Sequence, residues 1–174
     1  MKNRSKNPKA VSFIGRSGTG KTTLIEKLIK ILSDKNYRVS TIKHTDHEVK
    51  ADIKGKDSWR HKNAGAFSTM LVSNYSMAFF SDVEDSLTLE DITARFFQSS
   101  DIIIIEGFRD LKTPKIELFR KEINPGLELK YINDPACILI CGDVFINGTA
   151  KAQISINEPE KIARFLEEKI IGGI

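Results

Sequence analysis

The chain is 174 residues long with 40% hydrophobic and 29% charged residues, proportions that suit one globular domain with a single substantial core. No stretch is apolar for long enough to span a bilayer, and the basic start (Lys2, Arg4, Lys6, Lys9) has no apolar run behind it, which argues against a secretory signal. The net charge of +4 is spread along the chain without a nucleic-acid-binding motif, so it suits an anionic small ligand and gives no reason to expect nucleic acid.

Residues 1–8 read as a flexible basic tail, and residues 9–174 as one domain. Residues 9–14 form a short apolar run of strand type. Residues 15–22 follow as GRSGTGKT, which fits the phosphate-loop pattern G-x-x-x-x-G-K-[ST] at every fixed position. Gly15, Gly18 and Gly20 let backbone N–H groups turn inward around a phosphate, and Ser17, Thr19 and Thr23 belong to the same cradle. Lys21 is positioned to meet the β- and γ-phosphates, and Thr22 to give its hydroxyl to Mg²⁺. Beyond the loop, Leu24, Ile25, Leu28, Ile29 and Leu32 recur at helical spacing, so residues 20–35 are expected to be a helix whose N-terminus faces the ligand. The motif in this setting predicts a nucleoside triphosphate ligand.

Residues 37–43 read as a second strand, parallel to the first in a βαβ unit. Ligands gather beyond the carboxyl ends of such strands. There the chain places Lys43, His44, Asp46 and His47, then Asp52, and then Gly55, Lys56, Asp57 and Ser58, where a helix capped by Asp57 or Ser58 is expected. Lysines and histidines of this loop would face phosphate or a second anion, and carboxylates such as Asp57 would hold Mg²⁺ directly or through water; the competing reading is a solvated charged loop.

Residues 67–73 and 76–81 are short apolar runs split by Asn74 and Tyr75, as in a hairpin or adjacent strands. Residues 88–98 are a helix candidate opened by a Thr88–Asp91 capping box, with Leu89, Ile92, Phe96 and Phe97 on a core-facing side. Residues 101–107, DIIIIEG, are too apolar for a half-exposed strand and fit a central parallel strand buried on both faces. It ends in Glu106, placed as a Walker-B carboxylate, and Gly107, which leaves room for a γ-phosphate or a turn. Arg109, Lys112 and Lys115 follow as candidates for anion contacts. Residues 122–134 look irregular.

Cys137 and Cys141 lie on another buried strand, and their even spacing puts both thiols on one face. They are expected to be buried and free, as in a reducing cytoplasm. Asp143, past the end of that strand, sits where an aspartate can accept from guanine N1–H and its exocyclic amine, although no N-K-x-D tetrapeptide is present. A last helix is expected with Asn157 as cap, Pro159 in its first turn and Ile162, Phe165, Leu166 and Ile170 inward.

Taken in order, SGTGKTT at 17–23, IKHTDHE at 42–48, GKDSWRHKNAGA at 55–66 and EGFRDLKTPKIELFR at 106–120 resemble the molybdopterin-guanine dinucleotide biosynthesis protein B family, MobB. The resemblance implies an α/β P-loop NTPase fold with a largely parallel central sheet flanked by helices, here with a small β-hairpin insertion. It also implies GTP with Mg²⁺ as ligands, weak GTP hydrolysis and a homodimer with an extended sheet. The partner it implies is the guanylyltransferase MobA, which joins GMP to molybdopterin. Carried over by position, residues 18–23 would hold phosphate, Thr22 and Glu106 would hold Mg²⁺, and the loops at 43–47 and 55–58 would complete the polar site. Guanine selectivity rests on the resemblance.

Two other readings of the same loops stay open: a P-loop kinase for a small molecule or nucleotide, and a non-catalytic, nucleotide-switched carrier or docking module. No residue is an obvious water-orienting glutamine or arginine finger supplied in cis, which suits a slow NTPase whose partner completes the site.

Overall fold

The structure, a computed structural model, describes residues 8–49, 53–84, 87–126 and 128–172. The expected basic tail up to residue 7 and Asp52 lie outside the described residues. The chain divides into two compact units, one built from the segment up to His44 and from Ile92 onward, the other spanning Thr45–Asp91.

The larger unit is organised by one six-stranded sheet in the order β2-β5-β1-β6-β7-β8. Its strands are β1 (Lys9–Gly15), β2 (Val39–Lys43), β5 (Ile102–Glu106), β6 (Lys115–Leu118), β7 (Cys137–Gly142) and β8 (Ala152–Ser155). Every neighbouring pair is parallel. Parallel strands need crossovers over the sheet faces, and α1 (Lys21–Asp34) and α4 (Pro159–Leu166) supply apolar faces for that cover. Leu24, Ile25, Leu28 and Leu32 of α1 meet Ile162, Ala163 and Leu166 of α4 and the apolar side chains of β1, β5 and β7 in one core. Ile102, Ile103, Ile104 and Ile105 are all fully buried, as a strand covered on both faces requires. By area each contributes roughly 1.5–3 kcal/mol, an upper estimate because the unfolded chain is itself partly collapsed. The βαβ reading of β1 and β2 holds in direction, but β5 lies between the two strands.

Several local expectations are corrected. β8 carries little apolar signal and is added as an edge strand through its pairing with β7. Cys137 and Cys141 are free and buried, but they do not share a face. The β6–β7 register shifts between Lys115 and Ile116, so Cys137 packs with Phe119 and Ile140 while Cys141 joins the main core with Leu139. Burial raises both thiol pKa values. The last helix is capped at Glu158, not Asn157, with Pro159 at its start, and it continues as a wider π-type turn over Glu167–Ile171.

β6 is polar at alternate positions yet buried throughout. Lys115 donates to Asp134 Oδ2 at 2.8 Å, and this bond is the main cause holding the Asp134 carboxyl below its ordinary value. Glu117 accepts the Lys130 and Tyr131 N–H groups at 2.8 and 2.9 Å. Burial pushes its pKa up, and those two bonds oppose the shift. These side chains fasten the irregular segment at 122–134 to the sheet.

The smaller unit holds α2 (Asp57–Asn63) and an antiparallel hairpin of β3 (Ser68–Val72) and β4 (Met77–Ser81), at the expected place. Lys62 joins the two parts, donating to the Ala66 carbonyl and to Asp82 at 2.8 and 2.7 Å. The cap of α2 is Lys56, with Asp57 in its first turn, rather than Asp57 or Ser58. α3 (Leu89–Phe96) opens with the expected capping box: the Asp91 carboxylate accepts from the Thr88 amide at 3.1 Å, and Thr88 Oγ1 accepts the Asp91 amide at 3.1 Å. Phe96, expected in the core, is 43% exposed because the helix ends at that residue.

At Gly142 a Cβ would overlap the ring of Phe119, which is fully buried. Gly142→Ala should therefore destabilise the fold by at least about 1–3 kcal/mol in urea unfolding, with part of the loss recovered by adding Phe119→Leu. An unchanged midpoint would show that this packing is not required.

Candidate functional site

The carboxyl ends of β1, β2 and β5 meet the start of α1 around a cleft of about 190 Å³. Phe13, Ile14, Gly15, Ser17, Lys21, His44, Glu106, Gly107 and Arg109 line it. Eight of the predicted ligand residues thus gather or adjoin at one place: Gly15, Ser17, Lys21, His44, Glu106, Gly107 and Arg109 in the lining, and Lys43 through its ion pair with Glu106.

The register of the sheet produces this convergence. β1 runs beside β5 with Phe13 opposite Glu106, so the phosphate loop leaves β1 as β5 delivers its acid. Gly15 has φ of 146°, and a Cβ there would strike the Leu118 carbonyl oxygen, so only glycine lets the loop leave the sheet at this point. Thr19 is fully buried, and its hydroxyl donates to the Arg16 carbonyl at 2.9 Å. It shapes the loop with its side chain. Gly20, in the left-handed region, is the N-cap of α1, and Thr22 and Thr23 stand exposed in the first turn.

Lys21 Nζ donates to the carbonyls of Gly15 and Arg16 at 3.0 and 2.8 Å. Burial is the main cause lowering its pKa; Glu106 opposes this, and the charges of Arg109 and Lys43 add to it. Thr22 Oγ1 donates to the Glu106 carboxylate, 3.1 and 3.2 Å from its two oxygens. Lys43 Nζ stands 3.5 Å from Glu106 Oε1. A hydroxyl, a carboxylate and a triphosphate are hard oxygen donors of the kind Mg²⁺ takes, since that ion commonly uses one or two protein ligands alongside phosphate and water. Among the described residues no group of three or more His, Cys, Asp or Glu is gathered to hold a metal. The Thr22–Glu106 pair fits Mg²⁺ and gives no support to a histidine-rich transition-metal centre.

Sequence reasoning missed three features. Arg120 Nε donates to the Thr19 carbonyl at 3.3 Å and buttresses the phosphate loop from the end of β6. Phe108, with φ of 49°, lays its ring 4.3 Å from the His44 imidazole. Phe13 and Ile14 supply apolar lining. Tertiary pairing creates all three, and no local pattern announces them.

Two predicted residues of the larger unit, Lys115 and Asp143, lie outside the cleft lining. Lys115 is no anion contact, because it is 6% exposed and bonded to Asp134. Asp143 is absent from the cleft lining, and its Oδ1 accepts the Lys121 amide at 2.9 Å. His47, Lys56, Asp57 and Ser58 belong to the smaller unit. There the His47 amide donates to Thr45 Oγ1 at 3.2 Å, Asp57 pairs with Arg60 at 3.8 Å, and Ser58 is buried in α2.

The sequence profile of the family described as MobB, Molybdopterin guanine dinucleotide synthesis protein B, matches residues 10–143. The chain belongs to the MobB family. A molybdopterin-guanine dinucleotide biosynthesis adapter protein from Escherichia coli is 36% identical over 91% of this chain and 91% of its own length. The corresponding adapter protein from Haemophilus influenzae is 40% identical over 67% of this chain and 66% of its own length. A crystal structure described as molybdopterin-guanine biosynthesis protein B superposes with a TM-score of 0.69 at 26% identity, covering 91% of this chain and 97% of that one. MobB from Bacillus subtilis gives a TM-score of 0.73 at 23% identity over 92% and 97% of the two chains, which supports the fold. No helix among the described residues is long and apolar enough to cross a membrane.

In this MobB fold Gly107 has φ of 91°, and a Cβ there would lie 3.2 Å from the His44 carbonyl oxygen. Gly107→Ala should cost roughly 1–3 kcal/mol in urea unfolding, whereas Phe108→Gly, which relieves one positive φ while removing a ring, should stay within about 1 kcal/mol. Equal stability of wild type and Gly107→Ala would mean the turn does not constrain the site.

Proposed function

We propose that the cleft binds GTP with Mg²⁺ and hydrolyses it slowly. On this reading the chain serves molybdopterin guanine dinucleotide formation as a cytoplasmic adapter beside a MobA-type guanylyltransferase. The observation that carries the nucleotide reading is the Thr22–Glu106 contact, which joins the phosphate loop to the acid at the end of β5 across 84 positions of sequence. Lys21 would exchange the Gly15 and Arg16 carbonyls for phosphate oxygens, while the loop N–H groups and the N-terminus of α1 hold the chain of phosphates. Mg²⁺, held by Thr22 and Glu106, would neutralise charge on the β- and γ-phosphates. Lys43 would orient the Glu106 carboxylate through their ion pair.

Calorimetric titration of the full chain with GTP, ATP and a non-hydrolysable GTP analogue, each with Mg²⁺, tests this. Wild type should prefer GTP. Lys21→Ala should lose triphosphate affinity by about 100-fold or more, and Glu106→Ala should remove the Mg²⁺ dependence of binding. Affinity unchanged in Lys21→Ala, or equal affinity for ATP, would count against the reading.

The homodimer is supported by the hairpin. Met70 lies opposite Phe79 and Val72 opposite Met77, so the four side chains share one face of β3–β4, and they are 53%, 40%, 73% and 62% exposed. The combined variant Val72→Glu and Met77→Glu places two like charges opposite each other on that face. It should sediment as a monomer and still bind GTP; a dimer unchanged by both substitutions would assign the interface elsewhere.

A further inference from the structure

Of the cationic side chains at or beside the cleft, Lys21, Lys43 and Arg120 are each bonded to protein acceptors, and Arg16 lies 4.0 Å from Glu128. Arg109 differs. It lines the cleft, and its guanidinium has no hydrogen-bond or ion-pair partner among the described residues. The two residues that precede it are nevertheless held. The Gly107 amide donates to the Phe13 carbonyl at 3.4 Å, and the Phe108 ring rests on His44 at 4.3 Å. Two consecutive positive φ values, 91° and 49°, turn the chain sharply after Glu106 and bring the next residue back to the cleft. Proteins keep such strain where a side chain must be aimed. A phosphate loop wraps the α- and β-phosphates, which leaves the terminal phosphate toward the tip of the acid-bearing strand, here β5. Arg109 stands at that tip.

Resting on the nucleotide reading above, we infer that Arg109 is a catalytic arginine supplied in cis, which meets the transferring γ-phosphoryl group and stabilises the charge that develops as it departs. The reaction forms a bond from a water oxygen to the γ-phosphorus and breaks the bond from that phosphorus to the β–γ bridging oxygen. The bonding pair stays on GDP, and the water proton ends on inorganic phosphate or in solvent. The planar fork of Arg109 can bridge a γ-phosphate oxygen and the bridging oxygen, which a point charge cannot do as well. With no partner among the described residues, those donors are available, and the exposed position keeps the resting guanidinium hydrated until nucleotide arrives.

The test compares the full-length wild type with Arg109→Ala and Arg109→Lys in three measurements with Mg²⁺: calorimetric Kd for a non-hydrolysable GTP analogue, single-turnover GTP hydrolysis, and formation of a complex with GDP and aluminium fluoride. For Arg109→Ala the Kd should stay within about threefold, hydrolysis should fall about 100-fold or more, and the aluminium fluoride complex should be lost. Arg109→Lys should recover less than about a tenth of the rate, because lysine lacks the fork. A weakened Kd with an unchanged rate for bound nucleotide would make Arg109 a ground-state anion contact and overturn the assignment. So would a rate independent of position 109, or wild-type binding without turnover or an aluminium fluoride complex. Wild type that binds no guanine nucleotide would overturn the nucleotide reading as well, a result distinct from normal binding with an unaffected rate.

Discussion

In a parallel strand buried on both faces, amphipathic alternation gives no preference between registers, so something besides burial must decide which residue of β1 lies beside Glu106. A slip of one residue would carry the acid about 3.3 Å along the sheet and turn it to the other side. Polar contacts flanking β1 remove that freedom. Ser12, fully buried, shares a 2.6 Å hydrogen bond with Thr113, and its amide donates to the Pro114 carbonyl. A buried hydroxyl pair in an apolar sheet is costly to leave unmade, so the two strands meet in the one register that satisfies both. On the other side the Gly107 amide reaches the Phe13 carbonyl. With β1 fixed between its neighbours, Gly15 sits against the Leu118 carbonyl, the loop must leave the sheet there, and Thr22 arrives at Glu106.

The parts of the site legible in the sequence are those whose residue types do their work locally. GRSGTGKT matches a pattern whose fixed positions, in phosphate-binding loops, serve a turn, a phosphate or a metal, and four adjacent isoleucines fit a doubly covered strand. The parts that were not legible depend on partners distant in sequence. Arg120 is an unremarkable arginine until β6 pairs with β1 and brings it to the Thr19 carbonyl. β8 is a strand only because β7 offers it an edge. The even spacing of Cys137 and Cys141 was misleading because a register shift opposite Lys115 changes the parity of β7, and nothing in residues 137–141 encodes that irregularity. The caps of α2 and α4 fell on Lys56 and Glu158, whose side chains make no cap bond, so residue preference at those positions carried no information.

β6 shows how a mixed polar and apolar strand can sit inside a parallel sheet. Its alternation reads as half-exposed, yet all four residues are buried. The resolution is that Lys115 and Glu117 face covering chain rather than water: Asp134 and the amides of Lys130 and Tyr131 satisfy them. Burying an ion pair stabilises little by itself, but breaking one side of it leaves an uncompensated charge. That asymmetry gives residues 130–134 a defined place beside the sheet.

The charges at the cleft bear on how the proposed triphosphate site would be both specific and slow. Lys21 and Lys43 bring two cations to one carboxylate, Glu106, so about one positive charge remains uncompensated before Arg109 is counted. Without nucleotide the same groups satisfy one another: Lys21 on the loop carbonyls, Thr22 and Lys43 on Glu106. Those internal bonds must be exchanged rather than simply filled, so part of the attraction for a triphosphate offsets bonds already made. The exchange discriminates against a smaller anion, which cannot replace the Lys21 and Glu106 contacts together. It also means that binding uses most of the fixed charge in the ground state, and interactions equal in ground and transition states do not accelerate a reaction. On the proposed reading, acceleration is left to a cation without a protein partner among the described residues, and in the cleft lining that cation is Arg109.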